Sequence, residues 1–94
     1  MPLLLPERPH PRDLPVFRAA MIDALETTGG IRIDAGHATQ LPLAWMQLLV
    51  SASREAAMRD VSVTVLNPSF AFLFSFEAVG LDPEHDLFTL EYAP

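Results

Sequence analysis

Histidines, carboxylates and hydroxyls are the side chains that could carry chemistry in this chain, because it contains no cysteine. The three histidines lie far apart, at His10, His37 and His85, without the His-x-x-x-His or His-x-x-Glu spacing that gathers metal ligands on one helix. His85 stands between Glu84 and Asp86, but exposed loop histidines among acids are common. We therefore predict no metal site and no cofactor.

Nucleophilic and general-base chemistry is also poorly supported by the spacing. Ser51 and Ser53 have no neighbouring histidine and fall in a predicted helix, which offers no nucleophile elbow. Asp34 at a strand end is typical of a loop anchor rather than a general base. The glycine pair at residues 29–30 is too short to cradle a phosphate. We predict that the protein is not an enzyme.

Length and net charge limit the classes of function that remain. Ninety-four residues, 50% of them hydrophobic, make one domain spanning residues 1–94 with little room for a deep cleft. The formal net charge is −6 and the arginines do not cluster, so nucleic-acid binding is disfavoured. No run is long enough to span a bilayer, and the proline-broken start lacks the basic residues of a signal peptide. These features predict a cytoplasmic protein without direct membrane insertion.

Hydrophobic periodicity predicts alternating strands and helices. In the proline-rich start, residues 1–12, there is room only for a short edge strand at residues 3–5. Further elements are predicted as helices over residues 14–27, 42–59 and 70–79 and as strands over residues 31–34 and 61–66. The tail, residues 87–92, fits a final strand or a helical turn, and we favour the strand. Short connections favour βαβ crossovers, so we predict an α/β domain with a mixed sheet of about four strands under helices.

The inward stripes of these elements predict the core. Its members recur at helical spacing on the second and third helices and alternate along the strand at residues 61–66. The predicted core residues are Met46, Leu49, Val63, Val65, Phe72 and Phe76.

The segment spanning residues 31–82 resembles a STAS domain, the fold of anti-sigma factor antagonists. In that family a strand ending in aspartate leads through a loop to an apolar residue, a phosphorylatable serine at a helix start and a leucine-rich helix. Here residues 31–34 match the strand, residues 35–40 the loop, Leu41 the apolar residue and residues 46–49 the leucine-rich helix. The resemblance implies a small STAS-like domain.

Later features extend the resemblance, but the phosphorylation switch of the family is missing. The Asn-Pro-Ser turn at residues 67–69 and the Gly-Leu ending at residues 80–81 also match. Residues 42–45, Pro-Leu-Ala-Trp, occupy the positions of the phosphorylated serine and its neighbours. Thr39 is the nearest hydroxyl, and it replaces the phosphosite only in an alternate register.

The resemblance implies a non-enzymatic regulatory or adaptor module that docks a protein partner. In an antagonist-like role without serine phosphorylation, the partner is an anti-sigma-like kinase. The alternative is a STAS subunit of a larger assembly, such as a phospholipid-transport ABC complex with its transporter ATPase, or an accessory protein that binds a chemotaxis component.

A surplus of large apolar residues indicates where docking would occur. The second helix is apolar nearly all round in its first half, and the third carries more large residues than one face can bury. The predicted partner-binding residues are His37, Thr39, Pro42, Leu43, Trp45, Phe70, Leu73 and Phe74. Two alternatives are a homodimer through this patch and, for Trp45 alone, burial under the first helix and the proline-rich start.

Overall fold

A computed structural model describes residues 2–93, and within them four strands alternate with three α-helices. The elements are β1 (Leu3–Leu4), α1 (Leu14–Thr28), β2 (Ile31–Asp34), α2 (Leu43–Met58), β3 (Val63–Leu66), α3 (Phe70–Glu77) and β4 (Thr89–Glu91). A 3-10 turn at Pro11–Asp13 precedes α1, and a π-helical turn at Pro83–Leu87 precedes β4. The predicted α/β class and the alternating order are confirmed, including the tail strand.

The sheet is parallel throughout rather than mixed. Its strand order is β1-β2-β3-β4, and each neighbouring pair is parallel. Each of the first three strands is followed by a helix that returns the chain to the same end of the sheet, so the next strand runs in the same direction. Because every strand pairs with its successor in sequence, crossovers of one hand place their helices on one face of the sheet.

The core lies on that helix-covered face. Ile31 is in register with Val63 and Ile33 with Val65, and all four side chains are buried. They form a single hydrophobic cluster with the inward side chains of α1, α2 and α3. All six residues predicted as core are buried, which confirms the assigned faces.

The opposite face of the sheet carries mainly polar side chains, together with Leu4 and Leu66. Arg32 of β2 and Glu91 of β4 are both exposed there, and their side chains approach to 3.7 Å across β3. Thr64 and Thr89 lie on the same face, in register with each other. Parallel sheets are commonly covered on both faces. Here the polar side chains allow one face to remain exposed to solvent.

Local signals in the sequence set the helix ends. Gly29, with φ of 76°, closes α1 in the left-handed conformation that glycine adopts without strain. The Ser69 hydroxyl accepts a hydrogen bond of 3.0 Å from the N–H of Phe72 and so caps α3. Asp13 occupies the cap position of α1, but its side chain makes no capping hydrogen bond.

Three aromatic rings fill the core between α3 and β4. Phe72 and Phe76 lie 5.2 Å apart, and both contact Phe88, at 5.9 Å and 5.4 Å between ring centroids. Ser75, on the same face of α3, accepts a hydrogen bond of 2.9 Å from the N–H of Leu41. α3 is therefore joined to the start of α2 by a polar contact and to β4 by aromatic packing.

Within residues 2–93, no helix combines the length and the apolar run that crossing a lipid bilayer requires.

Truncation of the central core residues should destabilise the domain strongly. Leu49→Ala and Phe76→Ala should each lower the free energy of unfolding by about 2–5 kcal/mol, because each leaves a cavity in a fully buried site. Chemical denaturation measures the change. Met58→Ala, at an exposed helical position, is the matched control and should change stability by less than about 0.5 kcal/mol. Losses below about 1 kcal/mol at both core sites would reject the assigned faces.

Candidate functional site

The loop at residues 35–40 is held by hydrogen bonds to both neighbouring segments. The N–H of Ala35 donates to the carbonyl of Leu66 at 3.1 Å. Ser69 donates from its N–H to the carbonyl of Ala35 at 3.1 Å and from its hydroxyl to the carbonyl of Ala38 at 2.7 Å. Asp34 accepts from the N–H of Gly36 at 2.9 Å, which agrees with its prediction as a loop anchor. The loop is thus built into the carboxyl edge of the sheet.

Thr39 ties this loop to the proline-rich start of the chain. Its N–H and its hydroxyl both donate to the carbonyl of Glu7, at 2.9 Å and 2.7 Å. His37, two residues earlier, is exposed. Among residues 2–93, no group of three or more histidine, aspartate or glutamate side chains is placed to hold a metal ion.

Trp45 belongs to the core, which corrects its prediction as a docking residue. Its side chain is fully buried, and its ring lies edge-on to Phe17 of α1 with centroids 5.3 Å apart. The indole N–H donates to the carbonyl of His10 at 3.1 Å. Burial under the first helix and the proline-rich start, the alternative interpretation, is therefore the observed one. An indole with no exposed surface cannot contact a partner in this conformation.

At the start of α2 the apolar surface is reduced to Leu43. Pro42 is half-buried, and its carbonyl accepts the N–H groups of Trp45 and Met46 at 3.0 Å and 3.2 Å. Leu43 is 60% exposed. The leucine at the position of the serine in the STAS resemblance therefore faces solvent.

The outward face of α3 carries two exposed aromatic side chains. Phe70 is 83% exposed and Phe74 is 52% exposed, and their rings stack with centroids 6.0 Å apart and planes 16° apart. Both lie opposite the buried stripe of Phe72, Ser75 and Phe76. Leu73, beside them, packs partly against the core. We call Phe70, Leu73 and Phe74 the α3 surface.

The structure brings together most of the predicted docking residues at one end of the sheet. The hydrogen bonds of Ser69 place the first turn of α3 against loop 35–40, so Phe70 lies at the edge that also carries His37 and Thr39. The bond between Leu41 and Ser75 brings the start of α2, with Leu43, to the same helix.

A groove beside the α3 surface was not anticipated from the sequence. It has a volume of about 460 Å³ and lies between α3, the π-helical turn and the edge strand β4. Its walls include the apolar residues Leu73, Leu90 and Tyr92 and the acidic residues Glu77, Asp82 and Glu84. We call it the α3/β4 groove. Its walls come from residues up to 19 positions apart in the chain, between 73 and 92, which local periodicity does not connect.

The acidic run after α3 is a structured turn and does more than solvate a loop. Asp82 accepts the N–H groups of Glu84 and His85 at 3.0 Å and 3.1 Å, so it caps the π-helical turn. Its second oxygen lies 2.8 Å from Nδ1 of His85. This hydrogen bond is the main cause that lowers the pKa of Asp82 and raises the pKa of His85.

The Asp82 and His85 pair should be visible in a pH titration. We expect the pKa of His85 above its ordinary value and expect Asp82→Asn to bring it back, because the carboxylate stabilises the imidazolium. The stabilising contribution of His85 is present below its ordinary pKa and is lost as the pH rises through the raised pKa. The contribution of Asp82 is lost as the pH falls through its lowered pKa.

Histidine NMR titration measures the pKa of His85 directly. His37→Gln is the control and should leave the titration of His85 unchanged, since His37 lies in loop 35–40 at the far side of β3. An unchanged pKa of His85 in Asp82→Asn would show that the pair does not form.

Comparisons of the chain with protein-family models, with curated proteins and with solved structures found no match. The resemblance to STAS domains therefore rests on the residues of this sequence alone. The architecture that the structure shows is a small α/β domain with a four-stranded parallel sheet.

Proposed function

We propose that this domain is a non-enzymatic regulatory or adaptor module that docks a protein partner through the α3 surface. The observation that carries the proposal is the stacked pair Phe70 and Phe74, which project from the helix face opposite the core. Leu43 and loop 35–40, at the same edge of the sheet, extend the docking surface.

The outward phenylalanines have no evident role in folding. The inward stripe of α3 already supplies Phe72 and Phe76, which are fully buried. Covering a phenylalanine side chain that is otherwise exposed is worth roughly 1.5–3 kcal/mol, and aromatic residues are enriched among the residues that dominate binding. Two adjacent exposed rings on a domain this small therefore favour a binding role.

The resemblance to STAS domains supports the regulatory version of this function. In that version the partner is an anti-sigma-like kinase, and serine phosphorylation is absent because residues 42–45 contain no hydroxyl. Exposed Leu43 supplies an apolar contact in place of the phosphorylatable serine. The alternative is a subunit of a phospholipid-transport ABC complex or a chemotaxis accessory protein, and it uses the same surface.

Paired substitutions separate docking from folding. The double variant Phe70→Ser/Phe74→Ser should keep the melting temperature of the wild type within a few degrees, since both rings are exposed, while it abolishes partner capture. Trp45→Ala should instead lower the free energy of unfolding by about 3–5 kcal/mol, because Trp45 is buried. Thermal melting, light scattering and affinity capture from cell extract measure the three properties.

Val16→Ser is the matched control, because Val16 is an equally exposed apolar residue on α1. It should leave capture unchanged. Strong destabilisation of the double variant would show that Phe70 and Phe74 belong to the core. The main support for docking would then be lost. Loss of self-association without loss of a foreign partner would show that the surface serves a homodimer.

A further inference from the structure

The net charge of the protein lies in the last part of the chain, which also forms the α3/β4 groove, and three of its carboxylates, Glu77, Asp82 and Glu84, line that groove. All six basic residues are arginines that lie at or before Arg59, whereas half of the twelve carboxylates lie at or after Asp60. Residues 1–59 are therefore balanced, and residues 60–94 hold the whole net charge of −6. The α3 surface and its groove lie in this acidic third of the chain.

Carboxylates stand directly beside apolar surface in the groove. Glu77 and Glu84 are exposed at its rim, and the hydrophobic residues Leu73, Leu90 and Tyr92 line its wall. Asp82 is already engaged with His85. Glu77 lies one turn beyond Phe74 on α3, so the groove continues the α3 surface without interruption.

The charge argues against a second copy of this chain as the occupant. A symmetric dimer would place the same patch on both sides of the contact, and its carboxylates would oppose each other. Residues 1–59 carry as many carboxylates as arginines, so they contribute no net positive charge to offset this repulsion. Of these arginines, Arg59 pairs with Glu55 at 3.2 Å and Arg32 with Glu91 at 3.7 Å.

We infer that the α3/β4 groove, together with Phe70 and Phe74, binds a cationic amphipathic segment of a partner protein. This inference rests on the proposed docking function and specifies the chemistry of the partner. Leucine-like side chains of the segment pack on Leu73, Leu90 and the two exposed phenylalanines, and its arginines or lysines pair with Glu77 and Glu84. Apolar burial supplies affinity, and the charges select the partner and its orientation.

The probe is a fluorescein-labelled helical peptide with leucine on one face and arginine on the other. The control peptide keeps the leucines and carries glutamate in place of arginine. Fluorescence anisotropy should show binding of the arginine peptide and at least about tenfold weaker binding of the glutamate peptide, because like charges meet at the rim. Raising the ionic strength to about 0.5 M should weaken binding of the arginine peptide, since salt screens the attraction between exposed charges.

Variants of the protein locate the contact. Glu77→Gln/Glu84→Gln should weaken binding of the arginine peptide roughly three- to tenfold, because two exposed ion pairs are lost. Glu26→Gln, the control, removes an exposed carboxylate on α1, which connects β1 and β2 at the edge of the sheet away from β4, and should change binding by less than about twofold. Peptide-induced amide shifts in NMR spectra should map to Leu73, Leu90 and Tyr92.

The outcomes separate this inference from the docking function. The inference of a cationic partner segment is wrong if the arginine peptide does not bind or if both peptides bind equally well. It is also wrong if Glu26→Gln weakens binding as much as Glu77→Gln/Glu84→Gln does. In each of these cases docking still stands if Phe70→Ser/Phe74→Ser abolishes partner capture. If Phe70→Ser/Phe74→Ser still captures the partner, both the docking function and the cationic partner segment are wrong.

Discussion

The structure depends on one constraint, which is that consecutive parallel strands place the helices on a single face of the sheet. Ile31, Ile33, Val63 and Val65 fill that face, and the helices bury one stripe each against it. The short α3 can bury only Phe72, Ser75 and Phe76, so its remaining aromatic residues face outward. The polar face opposite, with the pair of Arg32 and Glu91, needs no such cover.

The same geometry holds the loop, the helix starts and the proline-rich start together at one edge of the sheet. Ser69 and Ser75 use their hydroxyl groups to hold loop 35–40 and the start of α2 against α3, and Thr39 uses its hydroxyl to hold the proline-rich start. Leu43 and Phe70 are exposed beside this edge, and the α3/β4 groove next to α3 has both apolar and acidic walls, a combination that suits the proposed recognition of a protein segment.

The sequence predicts the elements well because their signals are local. The alternation of Val63 and Val65 identifies β3, and Ser69 and Gly29 stand at helix ends where their chemistry requires them. The fate of Trp45 could not be predicted, since an apolar helix start does not show whether α1 or a partner covers it. The all-parallel pairing and the α3/β4 groove depend on how distant segments come together, such as Leu73 and Leu90 lining one groove, and periodicity does not encode this. The outward position of Phe70 and Phe74 was predictable, because it follows from helical spacing once Phe72 and Phe76 point inward.

The proposed docking function depends on the division of the six phenylalanines into a buried set and an exposed pair. Fluorine NMR of the protein labelled with 4-fluorophenylalanine tests it in one spectrum, because the solvent isotope shift of each of the six phenylalanines reports its exposure. The account predicts that Phe70 and Phe74 show the shift of solvent-exposed rings and that Phe17, Phe72, Phe76 and Phe88 do not. Protected resonances for Phe70 and Phe74 in the isolated domain would contradict it, because both rings would then belong to the fold.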